Sequence, residues 1–121
     1  MKLHEIELFS NNPDQAKNFY SSTLQLKLNV DEPDLKVFNA GIRGVDLNIS
    51  KHYPANKISL SFLVKDVNTF IEMMKEKQVE LDEPYDSHLG LRAVRLTDND
   101  GCRIVIHSPT DASPKWLRDM V

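Results

Sequence analysis

Cysteine is nearly missing from this chain: Cys102 stands alone among 121 residues, so no internal disulfide can form. A reducing, cytoplasmic setting is therefore expected. Long apolar runs are missing too. None approaches the roughly 20 residues that a membrane-crossing helix needs. The start, Met1-Lys2-Leu3-His4-Glu5, turns polar too soon for a secretory leader. A surplus of basic charge is also lacking, since the formal net charge is −3. That argues against nucleic acid as a partner, because phosphate contacts require a basic face. Glycine occurs only four times, and no Gly/Ser-rich stretch separates domains. The sequence contains no Ser-His-Asp arrangement, phosphate loop, paired-cysteine zinc motif or dinucleotide fingerprint.

What is present has the balance of an ordinary soluble domain, 40% hydrophobic and 27% charged. A chain this long buries roughly two-thirds of its unfolded surface, enough for a cooperative core. One domain spanning residues 1–121 is expected.

The chain also repeats itself, a pattern that decides fold before any other. Ile6-Glu7-Leu8-Phe9 alternates as a strand and leads into Asn12-Pro13-Asp14-Gln15, which has the form of a helix start. The predicted helix carries Ala16, Phe19, Tyr20 and Leu24 on one face. Leu60-Ser61-Phe62-Leu63-Val64 alternates again and leads into Asp66, a cap, and a helix with Val67, Phe70, Ile71 and Met74 on one face. One offset lays Ile6 on Leu60, Leu8 on Phe62 and Phe19 on Met73.

Each half then closes with a glycine-turned hairpin, at Gly44 and within Asp98-Asn99-Asp100-Gly101. Strands are predicted near 3–10, 26–30, 35–40, 45–50, 58–64, 79–81, 91–97 and 102–107, and helix two near 67–77. The repeat units run over about 1–52 and 57–108, joined by Lys51 to Lys57, and a short helix over about 113–121 follows. The fold class is α+β, two βαβββ units in tandem.

Strand alternation also assigns faces. Ile6, Leu8, Leu47, Ile49, Val94, Leu96, Ile104 and Ile106 lie beneath the helices, with Cys102 a buried thiol on that side. Glu5, Glu7, Asp46, Asn48, Ser59, Ser61, Arg95, Arg103, Val105 and His107 then take the opposite face. Slipping strand one by one residue would bury Glu5 and Glu7 unpaired under the helix, at a cost of several kcal/mol. His4 is therefore read as a strand-end residue. His107 can serve as acid, base or ligand, because imidazole titrates near neutrality. Arg95 and Arg103 suit an anionic group, or pairing with Glu5, Glu7 or Asp46 across strands. His88 stands in the loop before Gly90, while His52 and Tyr53 are expected to pack in the joint.

The ordered set Ala16-Lys17-Asn18-Phe19-Tyr20, then Glu83-Pro84, Asp86 and Gly90-Leu91-Arg92, then Asp98-Asn99-Asp100-Gly101 before Ile104-Val105-Ile106 resembles the vicinal oxygen chelate superfamily. That family holds glyoxalases, bleomycin-resistance proteins and ring-cleaving dioxygenases, and usually has Asp-Pro-Asp-Gly at the late turn. The resemblance covers nearly the whole chain and implies curved sheets around a cup, in a homodimer. It also implies divalent-metal ligands on the first and last strand of each unit. Those positions here are Glu5, Asn48, Ser59 and Val105. One carboxylate with an amide, a hydroxyl and an alkyl group is a poor donor set, so no cofactor is expected and a divalent metal is disfavoured.

Three readings follow from this donor-poor face. The first is a metal-free binder of a small polar or anionic molecule, with Glu5, Glu7, Asn48, Ser59, Arg95, Arg103, His107 and His88 as candidate contacts. The second is a lyase, isomerase or dioxygenase-type enzyme that uses no metal or an altered site built from Glu5 and His107. The third is an interaction domain whose cup is filled.

Overall fold

The computed structural model describes residues 1–55, 57–97, 99 and 102–121. The chain folds as two compact units, an N-terminal one over His4–Leu60 and a C-terminal one over Ser61–Val121 together with Met1–Leu3.

The N-terminal unit runs β1 (Lys2–Phe9), α1 (Pro13–Asn18), β2 (Leu28–Glu32), β3 (Leu35–Ile42) and β4 (Val45–Ser50), in the sheet order β2-β3-β4-β1. Asn12 caps α1, its side-chain oxygen accepting from Gln15 N–H at 3.1 Å, and Pro13 fills the first helical position. The reciprocal half of a capping box is supplied by Ser10 and not by Gln15, since Asn12 N–H donates to Ser10 Oγ. A π-helical turn, Phe19–Thr23, extends α1. The β3–β4 hairpin needs both of its glycines, Gly41 at φ +81° and Gly44 at φ +82°, conformations that L side chains adopt at a cost. β1 runs parallel to β4, with Glu5 opposite Asp46 and Glu7 opposite Asn48.

The C-terminal unit repeats this plan. β5 (Ser59–Leu63), whose first two residues still belong to the N-terminal unit, leads into it, followed by α2 (Val67–Glu76), β6 (Tyr85–Asp86), β7 (Arg92–Thr97) and β8 (Arg103–Ser108), in the order β5-β8-β7-β6. Asp66 caps α2 through Asn68 N–H and Thr69. Val67, Phe70, Val94 and Ile106 form the core beneath α2, flanked by Phe62, Leu96 and Ile104. Burying each of those large side chains contributes roughly 1.5–3 kcal/mol, which fixes the strand register. Both helical segments end on a left-handed glutamine, Gln25 and Gln78, one more trace of the repeat. A single turn, α3 (Lys115–Arg118), follows; its Leu117 is buried against Leu63 and Leu91. No helix among the described residues is long and apolar enough to cross a membrane.

Several expectations change. The short strand expected at Val79–Leu81 forms at Tyr85–Asp86, where antiparallel pairing with Ala93 and Arg92 outweighs a short β-branched run. The apolar face of helix one is poorly covered, with Phe19 half exposed. His52 is exposed and stands 3.5 Å from Asp34, and only Tyr53 of that pair packs inward. Cys102 is partly buried, because it precedes β8. The late turn at Asp98, Asp100 and Gly101 lies outside the described residues.

Candidate functional site

In the N-terminal unit, parallel pairing of β1 with β4 gathers a polar cluster on the face turned away from α1. Glu5 is 2% exposed and Asn48 is fully buried. Asn48 Nδ2 donates to Glu5 Oε2 and also reaches Tyr53 Oη at 3.4 Å. His4 Nδ1 lies 3.6 Å from Glu5 Oε1, and His4 Nε2 lies 3.9 Å from Asp46 Oδ2. Burial raises the Asp46 carboxyl above its ordinary 3.8; the His4 charge offsets this in part and the Glu5 charge adds to it.

Tyr53 closes the cluster on the other side of Asn48. Burial, then the charges of Glu7 and Glu5 and a hydrogen bond to Glu7, push its phenol far above its usual range, so it stays protonated. Two buried polar atoms in this unit, Asn48 Oδ1 and Ser59 Oγ, have no hydrogen-bond partner among the described residues.

Sequence reasoning placed Glu5, Glu7, Asn48 and Ser59 here, and all four are buried. It missed His4, expected at a strand end but buried between two carboxylates. It also missed Tyr53, expected as joint packing. The β1–β4 pairing that sets Glu5 beside Asp46 brings His4 to both carboxylates, and nothing local in the sequence marks that pairing. Nothing local marked Tyr53, whose contact depends on how the chain returns after β4.

In the C-terminal unit, Ser61 Oγ lies 3.0 Å from Nε2 of the buried His107. Arg95 is engaged by Tyr85: its guanidinium stacks 4.3 Å from the ring centroid and its Nε–H donates to Tyr85 Oη at 3.1 Å. Arg103 stands opposite Thr97, with a buried Nε that has no partner among the described residues. His88 lies in the turn His88–Gly90, its Nδ1 3.3 Å from Ser87 Oγ.

The polar residues of the two units differ in charge. Glu5, Glu7 and Asp46 make the N-terminal face acidic, while Arg95, Arg103 and His107 make the C-terminal one basic.

The sequence profile of the Glyoxalase/Bleomycin resistance protein/Dioxygenase superfamily matches residues 2–106. The chain belongs to that superfamily. Among solved structures of this superfamily's fold, an NAD-dependent benzaldehyde dehydrogenase from Legionella pneumophila superposes with a TM-score of 0.72 at 19% identity, over 88% of this chain and 98% of that one. Methylmalonyl-CoA epimerase from Mycobacterium tuberculosis gives 0.70 at 14% identity, over 95% and 90%. A glyoxalase/bleomycin resistance protein/dioxygenase superfamily member from Vibrio splendidus 12B01 gives 0.62 at 15% identity, over 87% and 96%. Identities this low establish the fold and nothing about chemistry. Comparison with curated proteins gives no match.

The superfamily implies a divalent metal, and the four positions that the resemblance assigns to its ligands, Glu5, Asn48, Ser59 and Val105, offer few donors. Val105 has no donor atom and Ser59 offers a neutral hydroxyl. The Asn48 amide nitrogen faces the Glu5 carboxylate and donates to it.

Proposed function

We propose that this protein is a small-molecule-binding member of its superfamily that works without a resident metal. In this reading it recognises a small polar ligand on the Glu5–Asn48 face. One observation carries it. Asn48 is fully buried, its amide nitrogen is committed to Glu5, and its oxygen has no partner among the described residues. A buried acceptor left unsatisfied costs about 1–3 kcal/mol, which a ligand N–H or O–H would recover on binding. The neighbouring carboxylates and the Tyr53 hydroxyl favour a ligand rich in donors, such as an amine or a polyol, at this face. The anionic character expected from Arg95 and Arg103 now rests on Arg103, since Tyr85 already holds Arg95. A homodimer and a cytoplasmic setting belong to the same proposal, supported by the family resemblance and the single cysteine.

A thermal-shift panel of amines, polyols, sugars and small carboxylates tests it. A ligand at a hundredfold its Kd adds about 2.7 kcal/mol to stability. A hit is expected whose stabilisation disappears in Asn48→Leu. Silence across the panel, or a hit indifferent to Asn48→Leu, would overturn the reading.

A further inference from the structure

The offset that lays Ile6 on Leu60 also lays Ala16 on Phe70 and Leu8 on Phe62. In the C-terminal unit Phe70 is 6% exposed and packs with Val94 and Ile106, with Phe62 against them. In the N-terminal unit an alanine stands where that ring would be. A cavity of about 610 Å³ lies there, lined by Leu8, Ala16, Phe19, Tyr20 and Ile49, with the exposed Lys57 also on its wall. Small-molecule sites span roughly 300–1,000 Å³, so the volume suits a ligand and not merely a packing defect. Leu8 and Ile49 belong to the helix side of β1 and β4, opposite to Glu5 and Asn48. Phe19 at this cavity is 50% exposed, an aromatic ring left without the cover that the repeat would lead one to expect.

We infer that this cavity is a binding site for a small aromatic molecule carrying an anionic group. The shape argument comes from the molecule itself. The second half fills the corresponding space with a phenylalanine ring, and the first half keeps an aromatic wall while leaving the ring out. Phe19 and Tyr20 already meet edge to face at 5.2 Å, and Tyr20 leans on Phe38 at 5.6 Å. An incoming ring extends that arrangement, and such aromatic pairs add to simple area burial. The charge argument rests on Lys57. Lys57 lines the same cavity, and an ammonium suits a carboxylate or sulfonate at the outer end of the ligand. This site is independent of the polar face proposed above, because it uses the other side of the same strands.

The test uses 1-anilinonaphthalene-8-sulfonate, an aromatic sulfonate whose fluorescence rises in apolar surroundings, titrated into the intact protein. One equivalent is expected to bind. Ala16→Phe, which restores the ring of the second half, is expected to abolish binding while the protein melts no lower than the parent. Ala16→Leu fills less and is expected to weaken binding, which covers the case where the larger side chain disturbs folding. Lys57→Met is expected to weaken it about tenfold, the loss of one charge-assisted contact. Glu5→Gln is expected to leave it unchanged. Failure of the probe to bind, or binding by Ala16→Phe and Ala16→Leu as tight as by the parent, would overturn the inference. So would light scattering that shows a dimer dissociated by Ala16→Phe, since a second copy would then be the occupant.

Discussion

Replacing Gly90 by alanine separates two costs that usually arrive together. Gly90 sits at φ +69°, where an L side chain costs roughly 1–2 kcal/mol. A Cβ there would also lie 2.5 Å from the Ala112 carbonyl carbon and 2.7 Å from both the Ala112 oxygen and the Ser113 nitrogen. Those atoms are backbone and cannot rotate away. They are pinned as well: Thr110 Oγ1 donates to the Gly90 carbonyl at 2.6 Å, Ala112 N–H donates to Thr110 Oγ1, and Thr110 N–H donates to Ser113 Oγ. Forcing a methyl group into such a contact adds roughly 1–3 kcal/mol. The expected loss for Gly90→Ala is therefore about 2–5 kcal/mol.

Gly44 is the internal control. It has the same kind of positive φ, at +82°, and nothing within 4 Å of the added carbon. Gly44→Ala should lose only the conformational part, about 1–2 kcal/mol. Urea denaturation of both variants measures the difference, and at this chain length each kcal/mol corresponds to a melting shift on the order of 4 °C. Equal losses in the two variants would refute the claim that close approach of the 110–113 segment, and not φ alone, demands glycine before β7.

Other consequences are open to measurement. Leu117→Ala should cost about 2–5 kcal/mol, because that fully buried side chain anchors α3 on Leu63 and Leu91; a change under about 0.5 kcal/mol in urea would contradict the packing. Tyr53→Phe removes a hydrogen bond to the Glu7 carboxylate and should cost about 1.5–3 kcal/mol; an unchanged melting temperature would mean the contact contributes nothing. Asp46 has a raised folded pKa, so it favours the folded state fully below its unfolded value and loses that contribution as pH rises through the folded one. Asp46→Asn should therefore gain stability relative to the parent as pH climbs from about 3 to 7, and a difference independent of pH would rule this out.

Much of the fold was legible because the two halves say the same thing in different residues. Val67, Phe70, Val94, Leu96, Ile104 and Ile106 alternate or recur so that one register alone turns them inward, and the structure buries Val67, Phe70, Val94 and Ile106 with Leu96 and Ile104 packed against them. The register of β1 was equally readable, since sliding it would have put Glu5 and Glu7 beneath α1. Local signals failed where tertiary pairing decides. Tyr85 and Asp86 hold too short a run to announce a strand, and edge pairing with β7 makes them one. His4 looked like a strand-end residue because its contact with Asp46 joins positions 42 apart in the chain, which no local signal reveals. The coverage of helix one was misjudged for a different reason. Periodicity shows which face is apolar but not whether its residues are large enough, and Ala16 is too small to do what Phe70 does.

Metal content tests the central claim most directly, because Glu5 and Asn48 hydrogen-bond to each other where the superfamily's ligands would stand. Elemental analysis of protein purified without chelator should find zinc, nickel, iron and manganese each far below one equivalent per chain. A full equivalent of any of them, lost on Glu5→Gln, would contradict the account.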